Sequence, residues 1–447
     1  MESRLIDCLV TTTPAADAFS DKAVLSAMLE FEVALADAEA ECGIIPHEAA
    51  DAIRRVAAGG GFDAKALAAA AREVATPSIP FVKALTRRVR EADALSARYV
   101  HWGATSQDVF DTALVLCLTR ALRVIRADQV ELLHRLVLLS DEHASTLTLG
   151  RTLLQPATPT TFGLKVAGWA GAISRAWQHV ESACADASVL QLGGAAGTLA
   201  ALDDAGAAVQ HSMAERLGLA CPAAPWHTHR DRLANVVTAL ASFVGVLGKM
   251  AGDVALLMQA EVAEVSERGG GSSTMPHKRN PSGCAIVGAA ATRMPGLAAS
   301  MLASLVQPHE RAAGAWHAEA PVLRDAAITT ASAVAAARDV IDGLAVFPER
   351  MRANLDATRG VIFAERLTFM LAAALGRDEA AALAGDLLAA CHASGRSFGD
   401  EVRHTPAVAA MLTPEQLAEI DNPATYLGAA ETFRTQLIAD VRRGLPG

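Results

Sequence analysis

Between Ala104 and Leu149 the chain carries neither glycine nor proline, and apolar residues return at helical spacing: Val109, Ala113, Leu116, Ala121, Val124, Ile125, Leu132, Leu136 and Leu139. The pattern predicts one very long helix. A second proline-free run covers Trp226 to Met275. Its Gly245, Gly248 and Gly252, at three- and four-residue steps, would let a neighbouring helix backbone come close. Long uncapped helical patterns in a soluble chain mean a coiled coil or a large bundle. These apolar faces are too wide for a coiled-coil seam, so a bundle assembled from several subunits is expected.

Composition agrees. Alanine, the best helix former, dominates, while aromatic residues make up only 4%. The fold expected is all-α, in three helical domains: 1–107, a central long-helix bundle over 108–350, and 351–447 after a turn at Phe347 to Arg350. The 52% hydrophobic content reads as buried helices rather than a membrane span, because the longest apolar stretch, Ala234 to Leu247, soon meets Lys249 and Asp253. The start, MESRLIDCLV, lacks the basic region, apolar core and cleavage site of an export signal. Seven cysteines without CxxC spacing read as buried small hydrophobes in a reducing compartment, the cytoplasm. A formal charge of −10 argues against nucleic acid as a partner. It also requires any anionic substrate to find a locally basic pocket.

The segment richest in chemistry runs from Gly269 to Pro281, GGGSSTMPHKRNP. Its glycines let a loop fold over a ligand, and consecutive Ser272 and Ser273 bring hydroxyls and backbone N–H groups together where an oxyanion could sit. Lys278 and Asn280 add a charge and an amide. A phosphate loop is excluded because Arg279, not Ser or Thr, follows Lys278, and no strand is evident before the glycines.

This stretch resembles the GSSxMPxKxN signature of the fumarase/aspartase superfamily. His101 to Asp108, HWGATSQD, is similar to its HxGxTSxD pattern, and Gly150 to Pro159, GRTLLQPATP, to its GRTHxQxAxP pattern. The three lie in the family's order, and the likeness extends over nearly the whole chain. It implies Ser272 as the proton-abstracting base, Lys278 and Asn280 on one substrate carboxylate, and Thr105 and Ser106 on another. It also implies substrate contacts from Arg151, Gln155, Ser273 and Met275, and a homotetramer whose sites are shared between subunits. Paired hydroxyls, amides and a cation suit carboxylates, and an enolate-like intermediate needs donors fixed before it forms.

Two departures narrow the chemistry. Leu153 stands where typical lyases of the family keep the GRTH histidine, and leucine transfers no proton. Ser78 to Phe81 stands where adenylosuccinate lyases carry a His-Asp-Val triplet. The carboxymuconate-cyclising branch is a better likeness, through Ile79 to Leu85 (IPFVKAL), Pro225 to Leu233 (PWHTHRDRL), His309 to Arg311 (HER) and Trp316 to Glu319 (WHAE). The resemblance therefore implies an intramolecular lyase acting on the tricarboxylate 3-carboxy-cis,cis-muconate to give a carboxymuconolactone. Nucleophile and acceptor share one molecule, so the protein need only fold the substrate, stabilise the intermediate and deliver one proton. No metal or organic cofactor is required. A fumarate-releasing lyase and a non-catalytic homologue are the alternatives.

Three further residues have two readings each. His101 suits a proton donor or substrate contact, or a structural hydrogen bond. Arg311 suits the third carboxylate through a bidentate contact, or a surface ion pair. His227 and His229 beside Asp231 lack a third metal ligand at helical spacing, so polar lining is expected there.

Overall fold

The computed structural model describes residues 5–271, 275 and 277–446, and most of these are helical, with two short strand pairs. The chain divides into two units: residues 1–129, 175–248 and 286–336 form the first, and 130–174, 249–285 and 337–447 the second.

In the first unit, helix α1 (Asp21–Glu41) starts at Ser20, whose hydroxyl accepts the Ala23 N–H. It buries Met28, Phe31 and Leu35, packs against α2 (His47–Ala58), and α2 against α3 (Ser78–Ala92). It also buries two carboxyls, Glu32 and Glu39. The expected long helix is α4 (Ser106–Glu142), 37 residues and about 55 Å at 1.5 Å per residue. It stops before Leu149 because the next segment is a β-hairpin, β1 (Leu147–Thr152) with β2 (Gln155–Thr161). Threonines favour the pleated form, and Pro156 and Pro159 rule out a helix. Gly150 sits at a bulge, where a Cβ would lie 2.5 Å from the Thr158 carbonyl oxygen.

The bundle helices are α5 (Phe162–Ala187), α6 (Asp231–Leu257), α7 (Ser282–Ala303) and α8 (Ala315–Asp342). In the first unit Trp177 of α5 meets Phe243 of α6 edge to face at 5.2 Å. Of the three α6 glycines only Gly248 has a close neighbour, since a Cβ there would lie 2.6 Å from that of Ala291 on α7; Gly245 and Gly252 have none within 4 Å in the single chain. In the second unit the C-terminal helices bury Leu355, Phe363, Leu367, Leu371, Leu387 and Phe398 against Leu149 of the hairpin.

Three expectations need correction. Phe347 to Arg350 opens a helix instead of forming a turn: Pro348 occupies the first turn of Pro348–Asp356, where its missing N–H costs nothing. A two-residue strand, Val265–Ser266, does precede the glycines, paired with Ala345–Val346 and too short for hydrophobic periodicity to show. The cysteines are all free, but only Cys117, Cys284 and Cys391 are buried, while Cys8 and Cys221 are exposed.

Candidate active site

In the first unit the HxGxTSxD segment closes onto the N-terminus of α4. Asp108 accepts the Thr105 N–H at 3.0 Å, and the Thr105 carbonyl accepts the Asp108 N–H at 3.0 Å. The fully buried Asp108 carboxylate also accepts from Gln191 Nε2 (3.1 Å), Gly193 N (3.1 Å) and Gly194 N (2.9 Å), and lies 2.6 Å from His227 Nε2. Thr105 and Ser106, both half-buried, are thereby fixed in place. Arg311 donates to the carbonyls of Gly194 (3.2 Å) and Ala195 (2.7 Å), so it braces the loop that Asp108 holds and makes no ion pair with a described residue.

Beneath this lies a second buried network. Arg230, 1% exposed, is bidentate to Asp111 (2.7 and 3.0 Å) and reaches Glu319 (2.6 Å). Trp316 Nε1 donates to Asp111 at 2.9 Å, and Gln307 Nε2 to Glu319 at 2.5 Å. Burial pulls the Arg230 pKa down, but the two carboxylates outweigh it and hold it above the ordinary value. The segments that mark the cyclising branch, PWHTHRDRL, HER and WHAE, thus meet as the support of the Thr105–Ser106 turn. His227 is buried, its ring held against Asp108 rather than lining a surface. Among the described residues no group of three His, Cys, Asp or Glu side chains could hold a metal ion.

The second unit holds the other half of the candidate residues. Arg151 is bidentate to the buried Glu264 (2.6 and 3.1 Å), which also accepts from Asn354 (2.8 Å) and Thr148 (3.3 Å). Arg151 is therefore committed to protein, and fixes the hairpin. The tip presents Leu153, Leu154 and Gln155 to the outside, Leu153 being 96% exposed. Both leucines have positive φ, 49° and 65°, a left-handed conformation costing about 1 kcal/mol or more per residue. On α5, Lys165 makes no ion pair with a described residue. Burial, then Lys249 and Arg151, lowers its pKa against the pull of Asp253 and Glu264.

Ser272 and Ser273 lie outside the described residues. The arms of their loop meet: Asn280 N donates to Gly270 O at 2.6 Å, and Gly271 bridges Arg279. Gly270, φ 74°, is required there, because a Cβ would collide with the Asn280 carbonyl. Buried Glu267 caps α7, accepting from Gly283 N (2.8 Å) and Cys284 N (3.3 Å), and so ties the chain before the loop to the chain after it. Met275 and Lys278 are exposed and Asn280 half-buried. A cavity of about 1120 Å³ in the first unit, between Leu25, Leu29, Val33, Phe62 and Leu217, is lined by none of these groups.

Sequence reasoning singled out none of Glu32, Glu264 and Glu267. A lone glutamate in a helix or before a loop carries no local signal; its role appears only when its partners, up to 116 residues away, are brought in.

The geometry has known counterparts. Residues 8–296 match the model of a family described as lyase, and residues 360–436 that of the adenylosuccinate lyase C-terminus. The chain is 44% identical over 445 residues to a 3-carboxy-cis,cis-muconate cycloisomerase of Bradyrhizobium diazoefficiens, covering 99% of each. It is 40% identical to a nitrosuccinate lyase of Streptomyces davaonensis, over 100% of this chain and 96% of that one. The crystal structure of the 3-carboxy-cis,cis-muconate lactonizing enzyme of Pseudomonas putida superposes with a TM-score of 0.93 at 41% identity, covering 99% of this chain and 100% of the other.

Proposed function

The chain belongs to the lyase family of the fumarase/aspartase superfamily, and on that premise we infer that it is a cycloisomerase closing 3-carboxy-cis,cis-muconate to a carboxymuconolactone. The observation that carries this reading is the hairpin tip. Where a fumarate-releasing lyase of the superfamily needs a histidine, the protein extends Leu153, and a leucine wall suits an addition in which a carboxylate attacks within its own molecule and no leaving group needs a proton.

Thr105 and Ser106 bind one carboxylate and Lys278 and Asn280 another, while Ser272 and Ser273 supply hydroxyl and N–H donors for the developing charge. Held this way the substrate's carboxylate oxygen meets its own double bond, and the donors stabilise the enolate-like charge that results. Arg151 and Arg311 act through the segments they hold rather than by contact with substrate.

The site is shared within a D2 homotetramer. Helix α4 alone is about 55 Å long, with Thr105 before its first residue and the hairpin beyond its last. Apolar surface exposed in the single chain supports this: Leu153 and Leu154 at the tip, and α7, of whose most apolar 18 residues only 28% are buried. The seven free thiols suit the cytoplasm. The assay follows the diene absorbance of 3-carboxy-cis,cis-muconate alongside fumarate formation from nitrosuccinate and adenylosuccinate. Loss of the diene with no fumarate supports cyclisation, and fumarate release without diene loss would replace it.

A further inference from the structure

Cyclisation ends with a proton on carbon, and the source of that proton can be assigned once the cyclising reading, on which the assignment rests, is granted. His101 Nδ1 lies 2.7 Å from Glu32 Oε1; the two side chains are 15% and 1% exposed. His101 has a φ of 60°, a conformation that a β-carbon makes costly and that is held four residues before Thr105. Its other ring nitrogen, Nε2, bonds no described residue and is not among the buried polar atoms left without a partner, so solvent or substrate reaches it. One edge of the ring is locked and the other is presented, the arrangement a directed proton transfer needs.

We propose that His101 is the acid that protonates the carbanion formed on ring closure, and that Glu32 is the positioning residue that orients it. In the step, a substrate carboxylate oxygen forms a C–O bond to one alkene carbon, and the π pair moves to the neighbouring carbon, conjugated with its own carboxylate. That pair takes the proton from Nε2–H and a C–H bond forms. The imidazolium becomes neutral imidazole and regains its proton from water. No oxidant, metal or second reactant is needed.

The charges around the ring favour this. Burial pulls the His101 pKa down, but Glu32 from α1, by charge and hydrogen bond, and Asp108 from α4 more than offset it, so the net shift is upward. The other carboxyl nearby, Glu39, faces Glu32, and burial together with that charge pushes it up to about 9. It is therefore neutral at pH 7 and adds no field at the ring. Removing the Glu32 charge would leave burial in control and turn the shift downward.

The test is the pH profile of kcat/KM for wild type, E32Q, E32D and H101Q, with 15N-histidine NMR titration of the same tetramers. A histidine acid works below its pKa, so activity falls as pH rises through it. E32Q should move this alkaline limb to lower pH by about one unit or more, lower kcat, leave KM nearly unchanged, and shift the His101 NMR titration in step. E32D, which keeps the charge, should stay close to wild type, and H101Q should lose about 10²- to 10⁴-fold in kcat. Folded E32Q with an unmoved limb and titration would overturn the proposal. So would H101Q with wild-type kcat, which would hand the donor role to the Ser272 hydroxyl. Wild-type enzyme that left the tri-acid untouched would sink the cyclisation reading itself, a result distinguishable from both.

Discussion

Asp108 and His227, 119 residues apart, meet at 2.6 Å in a part of the first unit closed to solvent, and the same carboxylate accepts four further N–H groups from Thr105, Gln191, Gly193 and Gly194. Asp108 thus joins the turn that presents Thr105 and Ser106 to the loops behind it. Asp108→Ala would leave those donors buried and unpaired, at a cost of about 3–5 kcal/mol. Asp108→Asn, which keeps the shape but offers one acceptor, should cost less. Chemical denaturation checks both, and an alanine variant within about 1 kcal/mol of wild type would show that the network bears little of the fold.

The buried Glu39 makes a pH-dependent prediction. Its carboxyl is held up to about 9 in the fold, by burial and then by Glu32, against an ordinary value of 4.5. Between these values the folded state keeps a proton that the unfolded chain gives up, so this group lowers stability as pH rises, by about 1.4 kcal/mol per unit. Glu39→Gln removes the penalty. Its melting temperature should match wild type near pH 4.5 and exceed it increasingly toward pH 8; a constant difference across that range would mean the carboxyl ionises normally.

Ser272→Ala and Lys278→Met should each lower turnover by orders of magnitude with little change in thermal stability, because Lys278 is exposed and a glycine-rich loop makes few core contacts. Equal losses of folding and activity in both variants would assign the loop a structural role.

Leu153→His should neither raise cyclisation nor create fumarate release. The substitution restores the family's proton-transferring group at the tip, but cyclisation has no leaving group for it to serve. A gain in either activity, measured at saturating substrate, would contradict the reading of Leu153 as the mark of an intramolecular addition.

Much of this was legible in the chain. The 37-residue α4 follows from its unbroken helical period, the loop around Lys278 from its glycines and polar residues, and the segments around Thr105 and Arg151 from the family resemblance. The features that stayed hidden depend on distant partners or on a continuing pattern. The hairpin is concealed because Leu147 to Leu149 continue the apolar period of the helix. Arg151 reads as a substrate ligand, and Arg311 as a substrate ligand or a surface ion pair, because a guanidinium's partner cannot be known before the fold supplies Glu264 or the Gly194 carbonyl. Glu32 shows nothing in sequence, 69 residues from the histidine it meets.

The central claim, an intramolecular addition completed by one delivered proton, is tested most directly by running the reaction in D2O and reading the product by 1H NMR. The prediction is a carboxymuconolactone carrying a single deuterium on the carbon next to a carboxylate, formed without fumarate and unaffected by chelator. Unreacted diene, a lactone without deuterium, or fumarate as the product would contradict it.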